Sequence, residues 1–299
     1  MSGRPDRVTL LAFGLLVLFG GSNAVAVRFS NLELPPFWGA TTRFYAAALV
    51  FWAILLARRI ELPRGKAMVG TLLYGLLTVG AGYAFLYWGL LRTQANLSMV
   101  VLAFVPLMTF FLAVFHRLEA FRWRGLLGAI ISTTGITLGV AGGLGNGVHI
   151  PSLLALLAGA ACSAYGTVLF KLYVKAHPVA VNAVGGTAGA TLLMLVSFLA
   201  REEWSLPSAP STWAAFVYLV LGGTVVVFYL YLFVLRRWTA SATSYSFLLF
   251  PIATVFIAAW LLGETVSVPF LVGGALVLYG VWLGAIGAPS RTASKEHAV

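Results

Sequence analysis

Residues 251–284 read PIATVFIAAWLLGETVSVPFLVGGALVLYGVWLG, and the landmarks of this stretch have already occurred once in the chain. Pro251, Glu264, Gly273, Gly280 and Gly284 answer Pro106, Glu119, Gly128, Gly135 and Gly139, each pair 145 positions apart. Five markers kept in register without a gap identify two copies of one unit. Aligning Pro36 with Pro178, at an offset of 142, places Asn23 opposite Tyr165 and extends a weaker likeness to the start of each copy.

Composition fixes the solvent. A chain of 299 residues that is 61% hydrophobic and 9% charged, with mean hydropathy +0.96, carries more apolar surface than a water-soluble domain can bury. A bilayer crossing needs about 20 apolar residues as helix, because every backbone N–H and C=O must be satisfied inside the segment. Ten such runs are present, at 8–27, 38–57, 67–90, 96–115, 125–143, 152–170, 180–199, 214–235, 241–262 and 268–287. The fold class is therefore all-α integral membrane. Five spans per copy is an odd number, so the second copy enters the membrane upside down, and the ten transmembrane helices form two inverted five-helix repeats. The repeats occupy 1–146 and 147–288, with a cytoplasmic tail over 289–299.

In a soluble protein a net charge of +11 would suggest nucleic acid, but the placement of the charge points elsewhere. Of 19 basic residues, fifteen fall in loops on one side, Arg28, Arg92 and Arg201 fall on the other, and Arg43 lies inside a span. The positive-inside rule then puts both termini in the cytoplasm of a multi-pass inner-membrane protein. The single cysteine, Cys162, excludes an intrachain disulfide and a multi-cysteine metal site. Arg4, Arg7, the apolar run to Phe19 and Ala24-Val25-Ala26 imitate a secretory signal. We expect no cleavage there, since removal would leave the sixth span without its repeat counterpart.

Polar residues at depth mark the candidate path. Asn23 in the first span, Tyr83 in the third, Asn96 in the fourth, Tyr165 in the sixth, and Ser244 and Tyr245 in the ninth are the expected substrate-binding residues at mid-membrane. Each has a competing structural reading, because small and hydroxyl residues also mediate close helix packing. Arg43 stands about 7–8 Å from the outer end of its span, where it either snorkels to the interface and bonds structurally or meets a substrate or gate. With Arg43 read as interfacial, Asn, Ser and Tyr donors would have to hold a substrate carboxylate. Pro106 and Pro251 fall near mid-span, remove a backbone hydrogen bond at Leu102 and Phe247, and predict kinks that could act as gating hinges. Glu119 and Glu264 are expected at the membrane surface, beside a helix N-terminus or an arginine. The Gly135-xxx-Gly139 and Gly280-xxx-Gly284 faces predict close packing between the halves or between protomers. Residues 142–147 (GGLGNG) follow no strand, so they read as the joint between repeats rather than a phosphate loop.

Pro106…Glu119…Gly128…Gly135 and Pro251…Glu264…Gly273…Gly280, with Gly21-Ser22-Asn23 in the first span and Arg43 in the second, resemble the EamA-type repeat of the drug/metabolite transporter superfamily. The likeness covers the whole chain. The first copy departs from the pattern with His116-Arg117-Leu118 ahead of Glu119, where the second has Leu262-Gly263. Within the superfamily the chain is similar to ten-helix bacterial exporters of amino acids, aromatic ones in particular, and related metabolites. The resemblance implies a small-molecule substrate moved by alternating access between two inverted halves, as a monomer or homodimer among membrane lipids, with no cofactor, metal or nucleic-acid partner. A multidrug or nucleotide-sugar carrier of the same superfamily is the alternative, followed by a non-transporting receptor. All four histidines and all eight acids fall in loops or at span ends, which speaks against an intramembrane enzyme and against proton coupling.

Overall fold

In the computed structural model the described residues are 5–92, 95–140, 149–262 and 266–286; of residues 24, 28, 95, 96, 140 and 262 the backbone alone is described. They form ten helical rods. α1 is Arg7–Ser30 and α2 is Pro36–Ala57. α3 runs over Lys66–Tyr74 and Gly82–Leu90, joined by a π-helical segment, Gly75–Ala81. α4 is Ala95–Leu102 followed by Val105–Phe115, and α5 is Trp123–Val140. α6 is Ile150–Tyr173 and α7 is Pro178–Leu199. α8 joins Pro210–Val220 to Val227–Arg237 through a second π-helical segment, Leu221–Val226. α9 is Ala240–Ser244 followed by Ser246–Leu262, and α10 is Val268–Val281 extended by Trp282–Ile286. Among the described residues nine stretches are long and apolar enough to cross a membrane. α5, with 18 residues, supplies the tenth rod.

Proline and polar caps start these helices. Pro36, Pro151, Pro178, Pro210 and Pro269 occupy first-turn positions, where a missing N–H costs nothing. Asp6, His149, His177, Thr239 and Ser267 accept from first-turn N–H groups of α1, α6, α7, α9 and α10.

The packing is reciprocal between the repeats. α1 lies against α8 and α9 of the other repeat, and its counterpart α6 lies against α3 and α4. α2 pairs with its own counterpart α7, and α5 with α10. These main inter-repeat contacts thus come in mirrored pairs in which the repeats exchange roles, as two inverted copies about a pseudo-two-fold axis require. The ends of α2 and α7 repeat the offset of 142: Pro36 and Pro178 begin them, and Arg59 (φ 49°) and Arg201 (φ 54°) close them in the left-handed conformation.

Glycines set the α5–α10 seam and the approach of α3 to α7. On α5 and α10, a Cβ at Gly273 would overlap the Gly135 carbonyl oxygen, and Ser132 Oγ donates to the Val277 carbonyl at 3.2 Å. The Gly-xxx-Gly pattern therefore joins the two halves of one chain. At the π-helical segment of α3, a Cβ on Gly75 would overlap the Gly185 backbone of α7.

Carboxylates tie loops of one repeat to helix starts of the other. Glu202 accepts from Phe37 N at 3.1 Å and Trp38 N at 2.7 Å in the first turn of α2. Glu33 accepts from Ser208 N at 2.9 Å, Ser208 Oγ at 2.6 Å and Ala209 N at 3.2 Å at the start of α8. Glu119 accepts from Ser241 N at 3.0 Å and from Ser241 Oγ at the start of α9, with Arg122 at 3.8 Å. The last agrees with the expected neighbours of Glu119, except that the capped helix belongs to the other repeat. Glu264, residues 142–147 and the tail at 289–299 lie outside the described residues.

Of the expected pair of proline kinks, the first coincides with an interruption of α4 in the turn before Pro106, and the second has no interruption at Pro251. In α4 the helix breaks at Ala103–Phe104, upstream of Pro106, which starts the second piece; Thr133 Oγ1 of α5 donates to the Ala103 carbonyl at 2.9 Å. In α9 the interruption comes at Tyr245, and Pro251 sits inside the continuous Ser246–Leu262 segment. Tyr245 is held at its place by donating to the Gly125 carbonyl of α5 at 3.0 Å. Packing against α5 sets where each rod yields, so the two breaks are not equivalent.

Candidate functional site

The face carrying Arg58, Arg59, Arg64, Lys66, Arg117, Arg122, Arg124, Arg236 and Arg237 is called the basic face below. The half of the bundle next to it is closed. Leu16, Val168, Phe170, Leu232, Leu235 and Leu248 are fully enclosed there, Thr167 Oγ1 and Tyr231 Oη share a hydrogen bond of 2.8 Å, and Tyr74 packs on Phe170.

A polar and aromatic cluster occupies the other half. Asn23, Arg43 and Tyr83 each stand seven residues from the opposite-face end of their helices, at Ser30, Pro36 and Leu90. At 1.5 Å per residue this is a common depth of about 10 Å. α1 and α2, which carry Asn23 and Arg43, pack against the π-helical segment of α8. Asn23 Nδ2 donates to the Gly223 carbonyl of that segment at 2.9 Å, and α2 packs along the same segment. Because the amide nitrogen must face this carbonyl, Asn23 Oδ1 is the atom left over. It is buried and without a hydrogen-bond partner among the described residues. Ser22 Oγ meets Tyr218 Oη of α8 and also donates to Phe19 O at 2.9 Å.

Arg43 departs most from expectation. It is 3% exposed and lies inside the bundle, so it does not snorkel. Its guanidinium carbon stands 4.7 Å from the Phe44 ring centroid and 5.5 Å from that of Tyr83, within cation–π range. Nη2 approaches Tyr83 Oη at 3.5 Å, a long contact, and Nε is buried with no partner among the described residues. Among those residues no carboxylate pairs with it. The surrounding rings form one set: Phe44 packs edge-on to Tyr83 at 4.8 Å and to Phe228 of α8 at 5.5 Å, and Tyr83 lies 6.1 Å from Tyr87. The inference that no basic residue is available to a carboxylate at depth is thereby overturned. Sequence spacing gave the depth of Arg43 but not the side of α2 it would take.

The six expected site residues divide. Tyr83 joins the cluster around Arg43, and Asn23 bonds to α8 at the same depth. The Asn96 side chain lies outside the described residues. Tyr165 is 37% exposed beside His116, with ring centroids 5.7 Å apart. Ser244 is fully enclosed and donates to the Ser241 carbonyl at 2.7 Å, while Tyr245 is buried on α5. Those last three belong to the half next to the basic face. The small residues of α1 serve packing: Thr254 Oγ1 of α9 donates to the Gly21 carbonyl at 2.7 Å, and a Cβ on Gly20 would overlap the Phe250 ring.

A separate cavity of about 650 Å³ lies between α3, α6 and α7, lined by Phe37, Phe85, Trp88, Leu154 and Leu192. Its walls are apolar. Among the described residues no three His, Cys, Asp or Glu side chains converge as a metal site.

The family model described as EamA-like transporter family matches the chain twice, over residues 7–140 and 150–285. The inner membrane transporter YedA of Escherichia coli K12 is 29% identical, over 89% of this chain and 86% of its own. A probable amino-acid metabolite efflux pump of Salmonella typhimurium LT2 is 26% identical, over 94% of this chain and 96% of its own. A chain of known crystal structure superimposes with a TM-score of 0.82, covering 94% of this chain and 97% of that one at 21% identity, which shows a shared fold.

Proposed function

The chain is a membrane transporter belonging to the EamA-like transporter family, and from that premise we propose that it exports amino acids or related small metabolites by alternating access. The observation that carries this reading is the reciprocal packing of the repeats, in which α1 engages α8 and α9 while α6 engages α3 and α4. Two inverted copies that exchange their local geometries convert a bundle closed on one face into one closed on the other. The basic face corresponds to the cytoplasm by the positive-inside rule, so this conformation is sealed towards the cell interior. The name of the Salmonella relative supports the substrate class.

Movement follows the substrate gradient without a coupled proton. A proton-coupled carrier needs a group that changes charge at depth, and arginine does not deprotonate in proteins. The test is counterflow in proteoliposomes with a panel of radiolabelled amino acids, sugars, nucleotide sugars and cationic drugs. Exchange of amino acids alone is the expected result, and exchange confined to another class overturns the substrate assignment. Accumulation driven by an imposed pH gradient, with membrane potential controlled, would overturn the uncoupled mechanism.

A further inference from the structure

We propose that Arg43 is the carboxylate-binding residue of the transport site, so that the site takes an amino acid through its α-carboxylate. This rests on the transport reading above and adds the atoms that would recognise the substrate. The first argument is the uncompensated charge. A guanidinium has five N–H donors, and among the described residues this one makes a single long contact, to a neutral hydroxyl, with the Phe44 and Tyr83 rings beside it. A buried cation without an anion is costly, and intramembrane charges of this kind mark ligand pathways.

The second argument is asymmetry. The position equivalent to Arg43 is Gly185, seven residues into α7 as Arg43 is seven into α2. There the backbone of α3 crowds the position: a Cβ would stand 3.1 Å from the Thr71 carbonyl oxygen and 3.4 Å from Gly75 Cα. The repeat architecture thus asks for no cation at this point, and the charge serves something the two copies do not share. The third argument is complementarity. Arg43 Nε is among the buried polar atoms that have no hydrogen-bond partner among the described residues, and it is the one that belongs to a permanently charged group. A carboxylate matches the guanidinium fork. The Phe44, Tyr83 and Phe228 rings supply apolar surface for the side chain.

The experiment compares each of a panel of amino acids with its own amide, in wild type, Arg43→Gln and Arg43→Lys. Binding is followed by ligand-induced thermal stabilisation of purified protein, and flux by counterflow in proteoliposomes. In wild type the acid is expected to be preferred over its amide by about tenfold or more, the worth of one charge-assisted hydrogen bond. In Arg43→Gln that preference falls to about one, and Arg43→Lys restores part of it because it keeps the charge but not the fork. An acid preference that survives in Arg43→Gln overturns the assignment and leaves the transport reading intact. Arg43-dependent binding of an acid that never crosses the membrane supports the site and overturns transport. A wild type that treats acid and amide alike overturns the assignment without any variant, so a misfolded Arg43→Gln leaves the question decidable.

Discussion

Arg43 and Gly185 occupy equivalent positions in α2 and α7, yet one bears a buried guanidinium and the other no side chain at all. At Gly185 the α3 backbone crowds the position, with Thr71 O 3.1 Å and Gly75 Cα 3.4 Å from where a Cβ would stand. At Arg43 the surroundings are Phe44 and Tyr83, and the cation is held by ring faces rather than by a counter-ion. Cation–π attraction in a desolvated site contributes about 2 kcal/mol, less than the several kcal/mol of burying an ion. Arg43→Met, similar in length and uncharged, is therefore expected to melt no lower than wild type in detergent while counterflow is lost. A substantially lower melting temperature would make Arg43 a structural residue.

The α5–α10 seam offers a test with its control one residue away. A Cβ on Gly273 would overlap a backbone carbonyl, which cannot move aside cheaply, whereas a Cβ on Gly274 meets only Ile252 Cδ1 at 4.0 Å. Gly273→Ala should destabilise by about 1–3 kcal/mol, the usual cost of overpacking. Gly274→Ala should leave the melting temperature within error or raise it, and equal effects at the two positions would show that the halves are not held at this seam.

Glu33 links the α1–α2 loop to the start of α8, and its hydrogen bonds from Ser208 and Ala209 hold its pKa at about 2, below the ordinary 4.5. A carboxylate depressed on folding contributes stability above its unfolded value and loses it as pH falls through the folded value. Glu33→Gln should therefore melt lower than wild type at neutral pH. The gap should close as pH drops from 4.5 towards 2. A gap independent of pH would mean that the loss is steric rather than ionic.

The repeat was legible because Pro, Glu and Gly recur at a fixed offset, and apolar length alone set the number of rods. What escaped the sequence depends on contacts between distant elements. The π-helical segments at Gly75–Ala81 and Leu221–Val226 carry no local signal of their own; the first lies where Gly75 meets Gly185. Glu202 and Glu33 read as ordinary loop acids, since the helix starts they cap lie more than 160 positions away along the chain. Depth from a span end was readable for Asn23, Arg43 and Tyr83, which do share one level. Rotation about each helix axis was not, which is why the burial of Arg43 and the packing of Ser244 and Tyr245 emerge only from the fold.

The central claim is that the half next to the basic face opens when the repeats exchange conformations. Val168 on α6 is fully enclosed there, between the Thr167–Tyr231 hydrogen bond and the Tyr74–Phe170 contact. In a chain whose one native cysteine is replaced by Cys162→Ser, Val168→Cys reports on this seal through its reaction with a membrane-impermeant maleimide in proteoliposomes. The account predicts slow labelling at rest and faster labelling, from the basic face alone, once a transported amino acid is supplied. A cysteine that stays protected while the same protein carries out counterflow would contradict it.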